Sequence, residues 1–306
     1  MEHQDFTAWL LAAKTPSIRY LTLRDLLGRP EADPDVQTAR QEIMTTGPVP
    51  EILSGQTGRG DWAGERSYYT PKYVSTHWSM LLLAELAAGG QDARLQLGAN
   101  FMLEATAAEA HRNGQGLSCF WGNLLRYAVH GGYGADPRLS PIIQHLERDA
   151  AAYGWRCRHN DDLPCAWGAA RALWGLAALP AVGNRAPATA AAIEQGLDFL
   201  LDEYSPVTAD YPTPGRIHAM WSRLNFPLFY QADILFVLRA CAELDSLDRP
   251  GAKAALEWLL GRRDANGRWR GASPYRHRTW RALGDLEETD RWVSLQAAIV
   301  LARAVA

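Results

Sequence analysis

The chain has 306 residues, of which 47% are hydrophobic and 21% are charged, a balance typical of a soluble globular protein with a large core. Its 31 basic residues nearly cancel its 34 acidic ones, which argues against a nucleic-acid-binding face. No apolar run is long enough to span a bilayer, the N-terminus lacks the basic leader of a signal peptide, and four cysteines are too few for a disulfide scaffold. These features favour a cytoplasmic protein, with peripheral membrane contact left open.

Apolar residues recur at helical spacing along the chain, whereas the alternating pattern of strands is hard to find. Residues 1–50 are helical in pattern. Beyond them, helices that are apolar on most faces, and are therefore expected to be buried, alternate with amphipathic ones. In chain order, starting with an apolar one, the predicted helices are 73–88, 92–108, 119–131, 138–152, 165–179, 188–203, 227–244, 250–262 and 291–304. A period of roughly 45–55 residues is typical of repeated helical hairpins.

Tryptophan gives the register of the apolar helices. A small or polar residue stands two positions before Trp78, Trp121, Trp167 and Trp292, and residues 229–232 take this place in the remaining unit. Those preceding residues are Thr76, Cys119, Cys165 and Asp290. Alternation of buried and half-exposed helices predicts an all-α, single-domain α/α toroid over residues 1–306, with about five to six helical hairpins around a central cavity. An open solenoid is the alternative.

Two segments carry a further tryptophan motif. Residues 56–62, Gln-Thr-Gly-Arg-Gly-Asp-Trp, have the pattern QxxxGxW, residues 263–269 repeat it with arginine in the first position, and Gly154-Trp155 keeps only its end. Over residues 50–306 the chain therefore resembles the prenyltransferase and squalene-cyclase repeat superfamily. This resemblance implies a toroid with a deep cavity for an apolar substrate, with isoprenoid-like molecules as one candidate class, and it leaves the reaction open.

The inner helices of such a toroid are parallel, so their N-termini gather at one mouth of the cavity. Cys119 and Cys165 would meet there, together with Cys157 from the preceding loop. Three thiolates and one nitrogen or oxygen ligand form a common zinc site, with His218 as the preferred fourth ligand and His159 and Asp233 as the alternatives. Reactive thiols and simple packing are the other two interpretations of these cysteines.

The Cys119 helix is also similar to the zinc-cysteine helix of protein prenyltransferase β-subunits. Leu117, however, stands where that family has an aspartate. A transfer of the family's complete ligand set is therefore not supported, and a zinc ion here would be held differently.

Asp233 is the carboxylate with the most apolar neighbours in the predicted helix 227–244. A buried carboxylate must be paired, coordinated or protonated, which suits either a catalytic role or a structural hydrogen bond. Alignment of the apolar pair Leu124-Leu125 with Ile234-Leu235 makes Asn123 the counterpart of Asp233. The side chains of Asn123 and Asp233 are then predicted to face the cavity one turn below the cysteines. His218 is a further candidate base.

Aromatic and polar residues at the same mouth are predicted to bind substrate. Tyr68, Tyr69 and Lys72 precede the first inner helix and suit a polar or anionic headgroup. The residues expected to contact an apolar part are Trp78, Trp121, Trp167 and Tyr230. Packing at the rim and between helices is the alternative explanation for these aromatic side chains.

Several hypotheses about function follow. The preferred one is an enzyme of the terpenoid cyclase or prenyltransferase type, a lyase, isomerase or transferase acting on a small apolar substrate beside a cysteine-ligated zinc ion. A metal-free alternative uses a thiol with Asp233 to isomerise or dehydrate alkenols, as in cysteine-bearing α/α-barrel linalool dehydratases. A third is a non-catalytic toroid that binds a peptide or lipid. The chain lacks Asp-x-Asp-Asp, Asp-Asp-x-x-Asp and the Cys-His-Gly of lanthionine cyclases.

Overall fold

The computed structural model describes residues 2–111, 117–152, 155–180, 185–209 and 218–305. This part of the chain is mostly helical, which confirms the all-α expectation. None of the helices described there combines the length and the apolar character needed to cross a membrane.

The helices follow the predicted alternation. The N-terminal region contains α1 (Glu2–Leu11), α2 (Pro16–Leu21), α3 (Pro34–Ile43) and α4 (Pro48–Ser54). The following helices are α5 (Thr76–Glu85), α6 (Ala93–Ala110), α7 (Ser118–Ala128), α8 (Leu139–Ala151), α9 (Ala166–Ala177), α10 (Pro187–Asp198), α11 (Ile234–Glu243), α12 (Pro250–Leu260) and α13 (Leu286–Ala304). Two short strands, β1 (Leu224–Asn225) and β2 (Gly271–Ala272), pair in parallel.

The odd-numbered helices from α5 to α13 form a continuous row, in which each helix packs against the next. The even-numbered helices α6, α8, α10 and α12 pack against this row from their own layer. The N-terminal α2 contacts α13. Because α5, α9 and α11 are buried on nearly all faces, the row forms the interior of the molecule.

Two helices begin at residues that the apolar pattern did not predict. Helix α11 begins at Ile234 rather than near residue 227, because Asp233 caps it by accepting a hydrogen bond from the N–H of Phe236 at 2.8 Å. Helix α13 begins at Leu286 rather than near residue 291, with Asp285 as its cap. The caps, not the apolar residues, set both boundaries.

The two complete tryptophan motifs form the same structure. The indole N–H of Trp62 donates to the carbonyl of Ile52 at 2.8 Å, and that of Trp269 donates to the carbonyl of Leu259 at 2.8 Å. The backbone N–H of Trp62 also donates to the hydroxyl of Thr76 at 3.2 Å. Each motif therefore links the end of one helix to the helix that follows it.

The matching bond in the second motif corrects the predicted register. The backbone N–H of Trp269 donates to the hydroxyl of Ser294 at 2.9 Å, so Thr76 corresponds to Ser294 and not to Asp290. The difference of four residues is about one helical turn and leaves the same face of α13 directed inward. Tryptophan spacing alone could not distinguish these two registers. Gly154 of the partial motif lies outside the described residues.

Helices α7 and α9 approach each other at two glycines. A Cβ atom added to Gly122 would lie 2.2 Å from the carbonyl oxygen of Arg171, and one added to Gly175 would lie 2.4 Å from the carbonyl oxygen of Gly122. Both obstacles are backbone atoms, which cannot rotate away as a side chain can. Any larger residue would force the two helices apart.

We expect Gly122→Ala to lower the free energy of unfolding by about 3 kcal/mol, because the added methyl group collides with the α9 backbone. Gly134→Ala is the matched control, since its Cβ would meet only a methyl group of Val129 at 3.7 Å. Urea unfolding followed by circular dichroism measures both. Equal losses in the two variants would contradict the close backbone approach.

Candidate functional site

A compact turn brings Cys157 back towards Cys165. The N–H of Cys157 donates to the carbonyl of Leu163 at 3.2 Å, and its own carbonyl accepts from the N–H groups of Asn160 and Asp162 at 2.8 and 3.1 Å. Cys165 is the N-cap of α9, and its sulfur accepts a hydrogen bond from the N–H of Gly168 at 3.4 Å. The cap thus places one thiol at a helix start and the turn places the other beside it.

These two thiols share a hydrogen bond that separates their pKa values. Donation from the Cys165 thiol lowers the pKa of Cys157 to about 6, and the N–H groups of His159 and Leu117 act in the same direction. The same hydrogen bond, together with burial, raises the pKa of Cys165. The interaction therefore favours a thiolate at Cys157 and a neutral thiol at Cys165.

Cys119, in the first turn of α7, is the third member of this group. Burial raises its pKa to about 12, and the nearby Cys157 adds to the effect. Cys119 and Cys157 both influence the pKa of Cys165. The structure therefore brings together Cys119, Cys157 and Cys165, hereafter the cysteine cluster. Cys241 is buried separately within α11.

The predicted histidine ligands occupy other positions. His218 is exposed and packs edge-on against Trp167, with ring centroids 5.0 Å apart, and its Nδ1 accepts a hydrogen bond from the N–H of Met220. His159 is exposed, and both its backbone N–H and the charge of its side chain favour the thiolate of Cys157. Within the described segments, no group of three or more His, Cys, Asp or Glu side chains is arranged to hold a metal ion. The zinc site stays a prediction.

Aromatic residues surround the cysteine cluster on one side. Tyr69 and Tyr230 both interact electrostatically with Cys119. The ammonium group of Lys72 lies 5.8 Å from the ring centroid of Tyr69 and 5.0 Å from that of Tyr230. The ring of Trp167 is 6.2 Å from that of Tyr230. Four of the predicted substrate-binding residues thus lie together.

The other predicted aromatic residues lie behind this group or apart from it. Trp78 is fully buried behind Tyr69, with ring centroids 4.6 Å apart. The hydroxyl of Tyr68 donates to Glu109 at 3.0 Å. Trp121 packs against His145 of the outer helix α8, at a centroid distance of 5.4 Å.

Asp233 has the contacts of a helix cap. Besides the N–H of Phe236, its carboxylate accepts hydrogen bonds from the backbone and side-chain nitrogens of Asn225 at 2.7 and 3.0 Å. Its predicted place inside a helix is wrong, and so is its alignment with Asn123, which lies within α7. The amide of Asn123 donates to the carbonyl of Phe229 at 2.9 Å, so both polar groups have structural partners.

Arg171 is a buried polar residue near the cysteine cluster that the sequence analysis did not single out. It is 0% exposed, and its guanidinium donates to the carbonyl of Gln231 at 2.6 and 2.9 Å. A single charge inside the alanine-rich segment Ala166–Ala177 is the same kind of signal that marked Asp233. His77 is likewise fully buried and stacks on Phe120 at 4.5 Å.

The opposite ends of the inner helices enclose a charged cavity of about 380 Å³. It lies at the C-terminal ends of these helices, as shown by Glu85 and Glu243, the last residues of α5 and α11. The four arginines that line it are Arg24, Arg126, Arg239 and Arg303. This charged cavity is not the apolar chamber that the sequence predicted, and it lies away from the cysteine cluster.

Comparisons with protein-family models, with curated proteins and with solved structures find no match to this chain. The chemistry of the site is therefore inferred from its own geometry. A thiolate hydrogen-bonded to a neutral thiol can accept one proton and donate another, and the aromatic side chains beside it can hold an organic substrate.

We expect Asp233→Ala to lower the free energy of unfolding by about 3 kcal/mol, because three N–H donors lose their acceptor. Asp33→Ala is the control, with an expected loss of about 1 kcal/mol, since Asp33 caps the exposed start of α3 through one N–H group. Denaturant titration measures both. A loss no larger than that of the control would contradict the buried cap.

The pH dependence gives a second test of Asp233. Burial raises its pKa from 3.8 to about 6, so the folded state binds this proton more tightly than the unfolded state does. The stability of the wild-type protein should therefore fall, relative to Asp233→Asn, as the pH rises from about 4 to about 6. Parallel curves for the two proteins over this interval would contradict the raised pKa.

We expect iodoacetamide to alkylate Cys157 with a midpoint near pH 6, because the thiolate is the reactive form. In Cys165→Ala the midpoint should rise towards the ordinary cysteine value of about 8.5, because the hydrogen-bond donor is lost. Peptide mass spectrometry resolves the individual sites, and buried Cys241 serves as an internal control that remains unlabelled in the folded protein. An unchanged midpoint in the variant would exclude the shared hydrogen bond.

Proposed function

We propose that α2 and the odd-numbered helices from α5 to α13 close into an α/α toroid of the prenyltransferase and squalene-cyclase type. The charged cavity supports closure, because residues from each of these helices line it. The contact between α2 and α13 supplies a connection across the two ends of the row. The repeated tryptophan motif, with equivalent hydrogen bonds in both complete copies, supports the repeat.

We further propose that the protein is an enzyme in which Cys157 and Cys165 act as a base and an acid. The placement of the two thiols beside each other, by the turn that begins at Cys157 and the cap of α9 at Cys165, is the observation that carries this proposal, because the contact favours a thiolate at Cys157 and a neutral thiol at Cys165. Such a pair suits removal of a proton at one position of a substrate and delivery of a proton at another. The carboxylate oxygens of Asp233 accept hydrogen bonds from Asn225 and Phe236. In this proposal a second thiol therefore takes the place of Asp233 in the acid–base pair.

The reaction class that fits this pair is dehydration or isomerisation of a small alkenol. The Cys165 thiol donates its proton to the hydroxyl oxygen as the C–O bond breaks, and water leaves. The Cys157 thiolate accepts a proton from a neighbouring carbon, whose C–H electrons form the new double bond. After this step Cys157 is a neutral thiol and Cys165 is a thiolate. Transfer of a proton from Cys157 to Cys165 along their hydrogen bond restores the starting state.

The surroundings favour a substrate that is largely apolar with one polar end. Tyr69, Tyr230 and Trp167 offer aromatic surface beside the cysteine cluster. The ammonium group of Lys72 lies near the rings of Tyr69 and Tyr230, where it can orient a hydroxyl or an anionic group. Cys119, kept neutral by its raised pKa, contributes a further weak donor.

The test incubates the purified protein with a panel of small alkenols in deuterium oxide and follows products by gas chromatography and mass spectrometry. We expect formation of dienes or isomers and deuterium in the recovered substrate. Cys157→Ala and Cys165→Ala should each slow turnover at least about 100-fold. Cys241→Ala, a cysteine in the α11 core, should retain activity.

Each opposing outcome rejects a distinct part of the proposal. Failure of the wild-type protein to convert or exchange any member of the panel would reject alkenol chemistry. Full activity in Cys157→Ala would reject the thiol pair. Stoichiometric zinc in the purified protein, lost in Cys165→Ser, would instead favour the zinc-dependent alternative at the same cysteines.

A further inference from the structure

The charged cavity has more positive than negative charge in its wall. Its lining contains four arginines and three carboxylates, the latter being Asp25, Glu85 and Glu243. Arg24 pairs with Asp25 at 2.7 Å, and Arg126 pairs with both oxygens of Glu243. These two pairs neutralise Arg24 and Arg126, and the other two arginines of the wall are Arg239 and Arg303.

Arg239 and Arg303 keep hydrogen-bonding capacity that no described residue uses. Arg239 donates to Glu85 at 2.6 Å through Nη1 alone, so its Nε and Nη2 edge has no hydrogen bond within the described part of the chain. Arg303, an exposed residue in the last turn of α13, lines the cavity and forms no ion pair with any residue that the structure describes. The planar edge of a guanidinium matches the two oxygens of a carboxylate or phosphate.

Gln296 provides an independent observation in the same wall. It is only 8% exposed, lines the cavity, and forms no side-chain hydrogen bond with the described residues. Its amide atoms are not sealed from solvent, so they remain available to a molecule in the cavity. Its position, two helical turns before Arg303 on the inner face of α13, indicates a polar ligand between the two.

The helix ends around the cavity carry partial negative charge, which by itself opposes an anion. That effect falls off within the last turn of each helix, whereas the arginine side chains bring full positive charges into the cavity. His130 adds no charge at neutral pH, because burial lowers its pKa. The wall therefore carries an excess of one positive charge for a negative group, and Oε2 of Glu85 is a buried oxygen in that wall without a hydrogen-bond partner among the described residues.

We propose that the charged cavity binds a small molecule through an oxyanion, a carboxylate or phosphate, held by Arg239, Gln296 and Arg303. The volume of about 380 Å³ exceeds that of an inorganic ion and suits a small organic acid or phosphate ester. Trp174 and Ile299 offer apolar surface for the body of such a ligand. This site is separate from the cysteine cluster and does not depend on the proposed thiol chemistry.

Isothermal titration calorimetry at constant ionic strength tests the site, with acetate and inorganic phosphate as separate probes and sodium chloride as the blank. We expect one of the two probes to bind with a stoichiometry near one, and the preferred probe distinguishes a carboxylate site from a phosphate site. Arg303→Gln should weaken binding about tenfold. Gln296→Leu should weaken it about fivefold while leaving the fold intact, because it removes an amide that lines the cavity and keeps a side chain of similar size.

Lys253→Gln is the matched control, because it removes one positive charge from an exposed position on α12 and should leave binding unchanged. Cys157→Ala should also bind the probe as the wild type does. Heats equal to the sodium chloride blank for both probes would overturn the proposal. An equal loss of affinity in Lys253→Gln and Arg303→Gln would also overturn it, by showing a general charge effect.

Discussion

One buried guanidinium connects the parts of the interior. Arg171 projects from α9, donates two hydrogen bonds to the carbonyl of Gln231, and lies 3.9 Å from the ring centroid of Phe236. Burial lowers its pKa only to about 10, so it keeps its charge at neutral pH. A charge buried without a direct carboxylate partner costs several kcal/mol unless dipoles and more distant charges are held in place around it. The loop before α11 is therefore constrained by this side chain, and the charge of Glu85 favours the charged form of Arg171 from a longer distance.

The two ends of the inner helices differ in chemistry because they present different backbone groups. Helix starts expose N–H groups, and those of Leu117 and Gly168 point to the sulfurs of Cys157 and Cys165. Helix ends expose carbonyls, and the arginines of the charged cavity compensate for them. Thiolate chemistry and anion binding are thus proposed at opposite ends of one set of helices. The backbone N–H groups favour the thiolate, whereas the anion site depends on arginine side chains that act against the backbone carbonyls.

The sequence was sufficient to predict the helices and the meeting of three cysteines, because both depend on a repeated apolar pattern. It was not sufficient where one capping side chain decides a boundary, as at Asp233 and Asp285. The register of α13 was wrong by a turn, since residues four apart lie on the same helical face. The hydrogen bond between Cys157 and Cys165 depends on the turn between them, which spacing alone does not determine. Arg171 carried the same signal as Asp233, a lone charge in an apolar helix, and could have been recognised.

The full burial of Asn123, Arg171 and Phe229 has a consequence for substrate traffic. Asn123 and Arg171 lie along α7 and α9 between the cysteines at the starts of these helices and the cavity lining near their ends, and both donate to carbonyls of the segment before α11. For the proposed reaction, substrate and product therefore share the route on the side of the cysteine cluster. The next turnover then has to wait for product departure, and an accumulating product competes directly with fresh substrate for the thiols.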